Sequence, residues 1–262
     1  MVNHPLPLPH EISGNPQSRD LLVFLHGWPD TCDLWNKIIP PFEESCYILN
    51  VSYPNFSAKE KNPNGITFDE VIERLIVTIE SVNSAKRRII LVGHDWGAFY
   101  SYYLDHKHPK YVSEIIALDV AANPPFNPFM MVFLFIYQLI LITAFLIGGS
   151  IGKWMTRGFL KCLFYKPPWV NRIDSSWNYP YYILWKTTLK TKRGPIEGYE
   201  PSCPVVYVAG TKKPFTLHSK KWLEMLAKNP KSEYHPLDFV HWIQIEKPNF
   251  LIDLIQRRLK SS

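Results

Sequence analysis

Short runs of uninterrupted apolar residues alternate along the chain with longer segments whose apolar positions recur every three or four residues. Runs of the first kind predict strands buried on both faces, and the amphipathic segments predict crossover helices, so the pattern reads as an α/β fold with a mostly parallel sheet and flanking helices. Leu21–Leu25 is the clearest strand, followed by Cys46–Val51, Arg88–Val92 and Glu114–Leu118. Thr67 and Glu70 predict a capping box at the start of a helix that presents Phe68, Ile72, Leu75, Ile76 and Ile79 on one face. Pro204–Val208 and Glu233–Leu237 predict two late strands, and residues 246–259 a closing helix that buries Phe250, Leu251, Leu254 and Ile255. Residues 122–200 break this rhythm. They are aromatic, Pro-rich and without β-alternation, which predicts a helical insert dividing a single core into a first part (1–121) and a second part (201–262).

With 46% apolar and 20% charged residues in 262, composition excludes disorder, collagen and coiled coil. The net charge of +6 is spread along the chain apart from runs such as Lys86–Arg88, so nucleic acid is not an expected partner. Cys32, Cys46, Cys162 and Cys203 stand far apart with no CxxC pair. They read as reduced thiols of an intracellular protein, with neither a disulfide frame nor a metal site expected. The opening residues lack the charged-then-apolar pattern of a secretory signal, so the expected location is cytoplasmic or peripheral on a membrane, in no particular organelle.

Candidate chemistry begins at Gly93-His94-Asp95-Trp96-Gly97, which follows a strand and opens a helix. In that context G-x-S-x-G forms a nucleophile elbow, and here Asp95 stands at the serine position. Such a turn lifts its central side chain above the carboxyl edge of the sheet and leaves the Trp96 amide free to meet a negative oxygen. His26-Gly27-Trp28-Pro29 follows the first strong strand, where the Trp28 amide is the expected second oxyanion donor. His241, after the last strand, is placed to serve as a general base.

Together with the tail from His241 to Pro248, these motifs resemble the α/β-hydrolase superfamily in its epoxide hydrolase and haloalkane dehalogenase branch, which uses an aspartate nucleophile. The resemblance runs from about residue 20 to the C-terminus and implies a reaction in two steps. Asp95 attacks an electrophilic carbon to give an alkyl ester, and His241 activates the water that cleaves it, with the Trp28 and Trp96 amides holding the oxyanion. No cofactor is implied. Many relatives carry the acid that orients the base in the loop after the strand Val205–Val208, but here that loop reads Gly210-Thr211-Lys212-Lys213-Pro214. Dehalogenase-like relatives place it at the end of the strand after the elbow helix, which is Asp119 here. Two further departures are a segment 51–56 without the usual glycines and a short N-terminal stretch that implies a trimmed or lost opening hairpin.

The insert corresponds to the cap of this branch. Epoxide hydrolases protonate the opening oxygen with cap tyrosines, for which Tyr179, Tyr181 and Tyr182 are candidates; His26 and Trp96 are candidate contacts to a hydrophobic small-molecule substrate. Phe129–Ile147, polar only at Gln138 and Thr143, is long enough to span a bilayer. A single crossing would separate Asp95 and Asp119 from His241, so the run is expected to be the first cap helix, lining a greasy pocket. Peripheral membrane contact through residues 129–152 is compatible with that reading. The alternative to a hydrolase is a catalytically weak α/β-hydrolase fold serving as an accessory subunit of a larger membrane-associated complex, suggested by Lys213 in place of the late acid.

Overall fold

A computed structural model of the chain describes residues 5–56, 60–125, 127–162, 167–213 and 216–260. Pro214, quoted above in the loop 210–214, and residues 1–4 of the opening segment lie outside the described residues. The elements, in chain order, are β1 (His10–Gly14), β2 (Asp20–Leu25), β3 (Tyr47–Val51), α1 (Phe68–Val82), β4 (Arg88–His94), α2 (Trp96–Lys107) and β5 (Glu114–Leu118). Three helices follow: α3 (Pro128–Ile147), α4 (Gly149–Cys162) and α5 (Tyr179–Thr191). The sheet then resumes with β6 (Val205–Gly210), α6 (Lys220–Ala227), β7 (Glu233–Leu237), α7 (Ile243–Glu246) and α8 (Pro248–Lys260).

The seven strands lie in the order β1-β3-β2-β4-β5-β6-β7, and every pair is parallel except β1 with β3. The uniformly apolar runs are accounted for by burial: Leu21–Leu25 and Val205–Val208 have no exposed surface. Where a trimmed or lost opening hairpin is expected, the described residues form a single strand, with His10 to Gly14 paired antiparallel to Val51 to Tyr47. It escapes a hydropathy reading because it is an edge strand with two exposed residues, including its one large apolar side chain, Ile12.

Local signals are realised with small changes. The Glu70 amide donates to Thr67 Oγ1 at 3.2 Å, while the Glu70 carboxylate lies 3.9 Å from Arg74 rather than completing a capping box. The closing helix is divided at Lys247, because Pro248 opens α8 and cannot donate to the preceding turn. In the segment 51–56, Asn55 takes φ 74°, the left-handed conformation that glycine supplies more commonly. Its side chain closes the loop through Asn62 at 2.8 Å.

Parallel pairing puts the carboxyl ends of β2, β4, β5 and β6 along one edge, and β7 extends that edge. The helices α3 to α5 intervene between β5 and β6, yet those strands pair directly, from Ile115 with Val205 to Leu118 with Val208. The chain therefore leaves and re-enters the sheet on the same side, and α3 does not divide it.

Candidate active site

At the end of β4, Asp95 adopts φ 53° and ψ −116°, a conformation that costs free energy in a residue with a side chain. Packing enforces it. A Cβ on Gly97 would lie 2.0 Å from the Leu25 carbonyl oxygen, and one on Gly27 would lie 2.4 Å from the Asp95 Cβ. Only hydrogen fits at either position, so the turn cannot relax without opening the contact between α2 and β2. The result is a carboxylate lifted over the sheet edge, with Oδ2 accepting the Trp28 amide at 2.9 Å. Burial pushes the Asp95 pKa up, and His241, His94 and the Trp28 and Trp96 amides pull it back only in part.

Asp119 ends β5, also at positive φ (71°), and is fully buried. Its Oδ2 accepts the His241 Nδ1–H, and its Oδ1 accepts the Gly210 amide at 3.0 Å and the Lys213 ammonium. The expected Asp119–His241 contact is therefore present. Bonding Nδ1–H to Asp119 leaves Nε2 of neutral His241 with its lone pair free. Burial pushes the Asp119 pKa up, but the paired imidazole and ammonium outweigh it and hold the carboxyl below its ordinary value. Burial alone would lower His241; Asp119 and Asp95 lift it above its ordinary value, opposed in part by Lys213.

Lys213 has a contact that the sequence does not reveal. It stands where the late acid is missing and is a cation that shares Asp119 with His241, with a side chain only 11% exposed. The cation disfavours a second positive charge on His241, so it limits the rise in the imidazole pKa. Replacing it by methionine is expected to raise that pKa, since protonated His241 would no longer face a like charge. A neutral base is then lost at higher pH, and the acid limb of the kcat–pH profile should move up by roughly one unit. An unchanged limb, or one displaced downward, would exclude this role.

Behind the imidazole stands a second ring. His94 Nε2–H donates to the His241 carbonyl at 3.1 Å, and the two ring centres are 4.5 Å apart. Its Nδ1 lies 3.6 Å from the buried Asp30, which also accepts the Trp242 indole N–H at 3.0 Å. These contacts hold the loop carrying His241 from two sides. The motif His94-Asp95 was legible, but this use of its histidine was not.

The insert covers the site with aromatic rings. Tyr181 meets Trp28 and Trp96 edge-on, at 5.6 and 5.2 Å, and Tyr137 of α3 at 5.6 Å. Burial raises both phenols, Tyr137 to about 12, and the Asp95 charge adds to each shift. Sequence reasoning missed Tyr137 because a helix apolar on every side hides which face turns inward; its pairing with Gln138 in an otherwise apolar run was the available signal. Asn178 was also missed. Fully buried, it accepts the Trp28 indole N–H at 2.9 Å and donates to the Leu141 carbonyl and Thr156 Oγ1, tying the loop of Trp28 to α3 and α4.

Three expected substrate contacts lie elsewhere. His26 has no exposed surface: its ring nitrogens meet the Gly27 carbonyl and Ser52, its ring packs on Tyr53 and Phe56, and burial lowers its pKa to about 4. It is a strut beneath the Gly27 turn. Tyr179 is fully buried against Phe56, and its ring fills the space that a side chain at Gly65 would need. Tyr182 packs on Phe145, with the Lys186 ammonium over its ring. Of these three tyrosines only Tyr181 meets Trp28 and Trp96, because at about 100° per residue it points away from both Tyr179 and Tyr182 on the helix.

A seven-stranded, mostly parallel sheet with an elbow after β4, helices inserted after β5 and a late histidine loop has the α/β-hydrolase fold. A family model described as alpha/beta hydrolase fold matches residues 20–141. In sequence the chain is epoxide-hydrolase-like. It is 27% identical over 120 residues to epoxide hydrolase 3 of Mus musculus and 24% identical over 113 residues to epoxide hydrolase 1 of Caenorhabditis elegans. Those stretches are 45% and 42% of this chain but only 31% and 28% of the relatives' own lengths. Among solved structures, epoxide hydrolase A from Mycobacterium thermoresistibile superposes with TM-score 0.67 at 16% identity, covering 95% of this chain and 93% of its own. A marine microorganism esterase superposes with TM-score 0.67 at 18% identity, covering 96% and 99%. These two likenesses speak to the fold alone.

Proposed function

We propose that the protein hydrolyses a hydrophobic epoxide, or a related alkyl electrophile, through an alkyl ester on Asp95. The observation that carries this reading is the Asp95 carboxylate on the Trp28 amide, at a strained elbow beside an imidazole that is itself paired with a buried carboxylate. A serine at the elbow would need a base before it could attack; a carboxylate does not, and this arrangement has no other evident use for one.

With Oδ2 held by the amide, Oδ1 is the oxygen that attacks the electrophilic carbon. The ring C–O bond breaks as the new C–O bond forms, and the released alkoxide takes a proton from a phenol. Tyr181 and Tyr137 are the best-situated donors, kept protonated by burial. Ester formation removes the charge of Asp95, and with it one of the influences that raise His241. That change favours the neutral imidazole at the step in which it must take a proton from water. Hydroxide adds to the Asp95 carboxyl carbon, the Trp28 and Trp96 amides hold the oxyanion on Oδ2, and collapse expels the diol with the proton from His241. The regenerated Asp95 carboxyl loses its proton, which restores the phenol through solvent. In this reading, residues 122–200 act as the cap and exclude bulk water.

A single turnover of styrene oxide in ¹⁸O-water tests the route. Water oxygen enters Asp95 rather than the product, so the first diol released should be unlabelled and the peptide containing Asp95 should carry ¹⁸O. Label in the first diol would mean direct attack by water and would remove the ester.

A further inference from the structure

The helix that presents Tyr137 to the site has a second face. On α3, Phe129, Val132, Ile136 and Leu139 follow one another at helical spacing and are 75, 58, 52 and 50% exposed. Met130, Leu141 and Ala144 lie buried on the opposite face. On α4, Ile151 and Trp154 continue the apolar surface at 64 and 75% exposure. Exposed apolar side chains in isolation need no explanation, but a continuous stripe across two helices does.

Charge identifies the occupant. From Val120 to Ile173 the sequence contains no aspartate or glutamate, and neither does α5. Basic residues sit within the same surface: Lys161 lies seven residues after Trp154 on α4, and on α5 Lys186 and Lys190 flank Leu189, which is 72% exposed. Aromatic anchors, an aliphatic stripe and cations with no anions describe a surface complementary to anionic lipid rather than to the mixed charge of a typical protein partner. A spanning arrangement is excluded by the pairing of β5 with β6 and by the Trp185 indole donating to Gln138 at 2.7 Å, which holds α3 to α5 midway along its length.

We infer that the outer face of α3 and α4, extended by α5, docks in the interfacial region of an anionic bilayer, with the catalytic edge of the sheet behind it. The inference uses none of the chemistry assigned to Asp95. If both hold, the same helix meets membrane-dissolved substrate outside and presents Tyr137 inside.

Vesicle flotation with the full chain tests the docking. The wild-type protein should float with phosphatidylcholine–phosphatidylserine vesicles, bind pure phosphatidylcholine far more weakly, and be released by alkaline carbonate. Phe129→Ser with Trp154→Ser alters two largely exposed side chains and should reduce binding by about tenfold or more, with an unchanged circular dichroism spectrum. Lys161→Glu with Lys190→Glu should reduce binding to the anionic vesicles alone. Failure to float, binding indifferent to these changes, or resistance to carbonate would each overturn the inference. So would a concentration-dependent dimer that the Phe129/Trp154 variant abolishes without any vesicle binding, since that would assign the face to a second copy.

Discussion

His241→Gln protein mixed with a hydrophobic epoxide is expected to stop at the ester, its intact mass raised by one substrate molecule, while Asp95→Asn protein stays unmodified. The two variants should look alike in steady state, each losing about 10⁴-fold or more in turnover, as knock-outs of catalytic units do. Only the mass separates them. The difference follows from what each step needs. Attack on the ring requires an ionised carboxylate and a proton donor, and neither is His241; the Trp28 amide already favours the charged form of Asp95 at 2.9 Å. Cleavage requires a base for water, and Nε2 of His241 is the lone pair left free by the bond from Nδ1 to Asp119. Glutamine keeps most of the imidazole volume and can still meet Asp119, so the first step survives. Absence of the adduct across a broad epoxide and haloalkane panel would remove the nucleophile assignment, and rapid turnover by Asp95→Asn would do so more directly.

How far this site could be read from the sequence depended on whether a residue's role is fixed locally. Asp95 was legible because a strand-to-helix turn this tight admits only hydrogen at Gly93 and Gly97, so the motif carries its own geometry. The central strands were legible because burial on both faces excludes polar residues from them. The strand β1 was not, since an edge strand can be polar without penalty. Lys213 and Tyr137 were illegible for a different reason. The ammonium meets Asp119 only after β5 and β6 pair, and the phenol meets Tyr181 only once α3 chooses an inward face, a choice that a uniformly apolar sequence does not encode. His26 failed in the opposite direction. Two residues before Trp28 in the chain, it reads as a substrate contact, but its ring turns into the core against Tyr53 and Phe56.

The closing helix α8 is tied to the sheet by a buried ion pair, and the largest loss of stability is expected there. Arg258, on α8, donates to Glu114 at 2.5 Å and to Glu233 at 2.8 Å, reaching both β5 and β7. Glu114 is 3% exposed, so water cannot replace the guanidinium. Arg258→Met should therefore cost about 3–5 kcal/mol, because breaking one side of a buried pair leaves the other charge uncompensated. In a chain of this length that lowers Tm by roughly 10 °C. Combining it with Glu114→Leu should recover much of the loss, which a simple packing defect would not. Burial already holds Glu114 above its ordinary value even beside Arg258, and without the cation its folded-state value rises further. A folded-state value above the unfolded one favours the native state where the acid is protonated, and that gain is lost as pH rises through the folded-state value. The deficit of Arg258→Met should accordingly be smaller near pH 5 than near pH 8, measured by urea denaturation at each. A deficit independent of pH would mean that α8 is held by the packing of Leu251, Leu254 and Ile255 and not by the charge of Arg258.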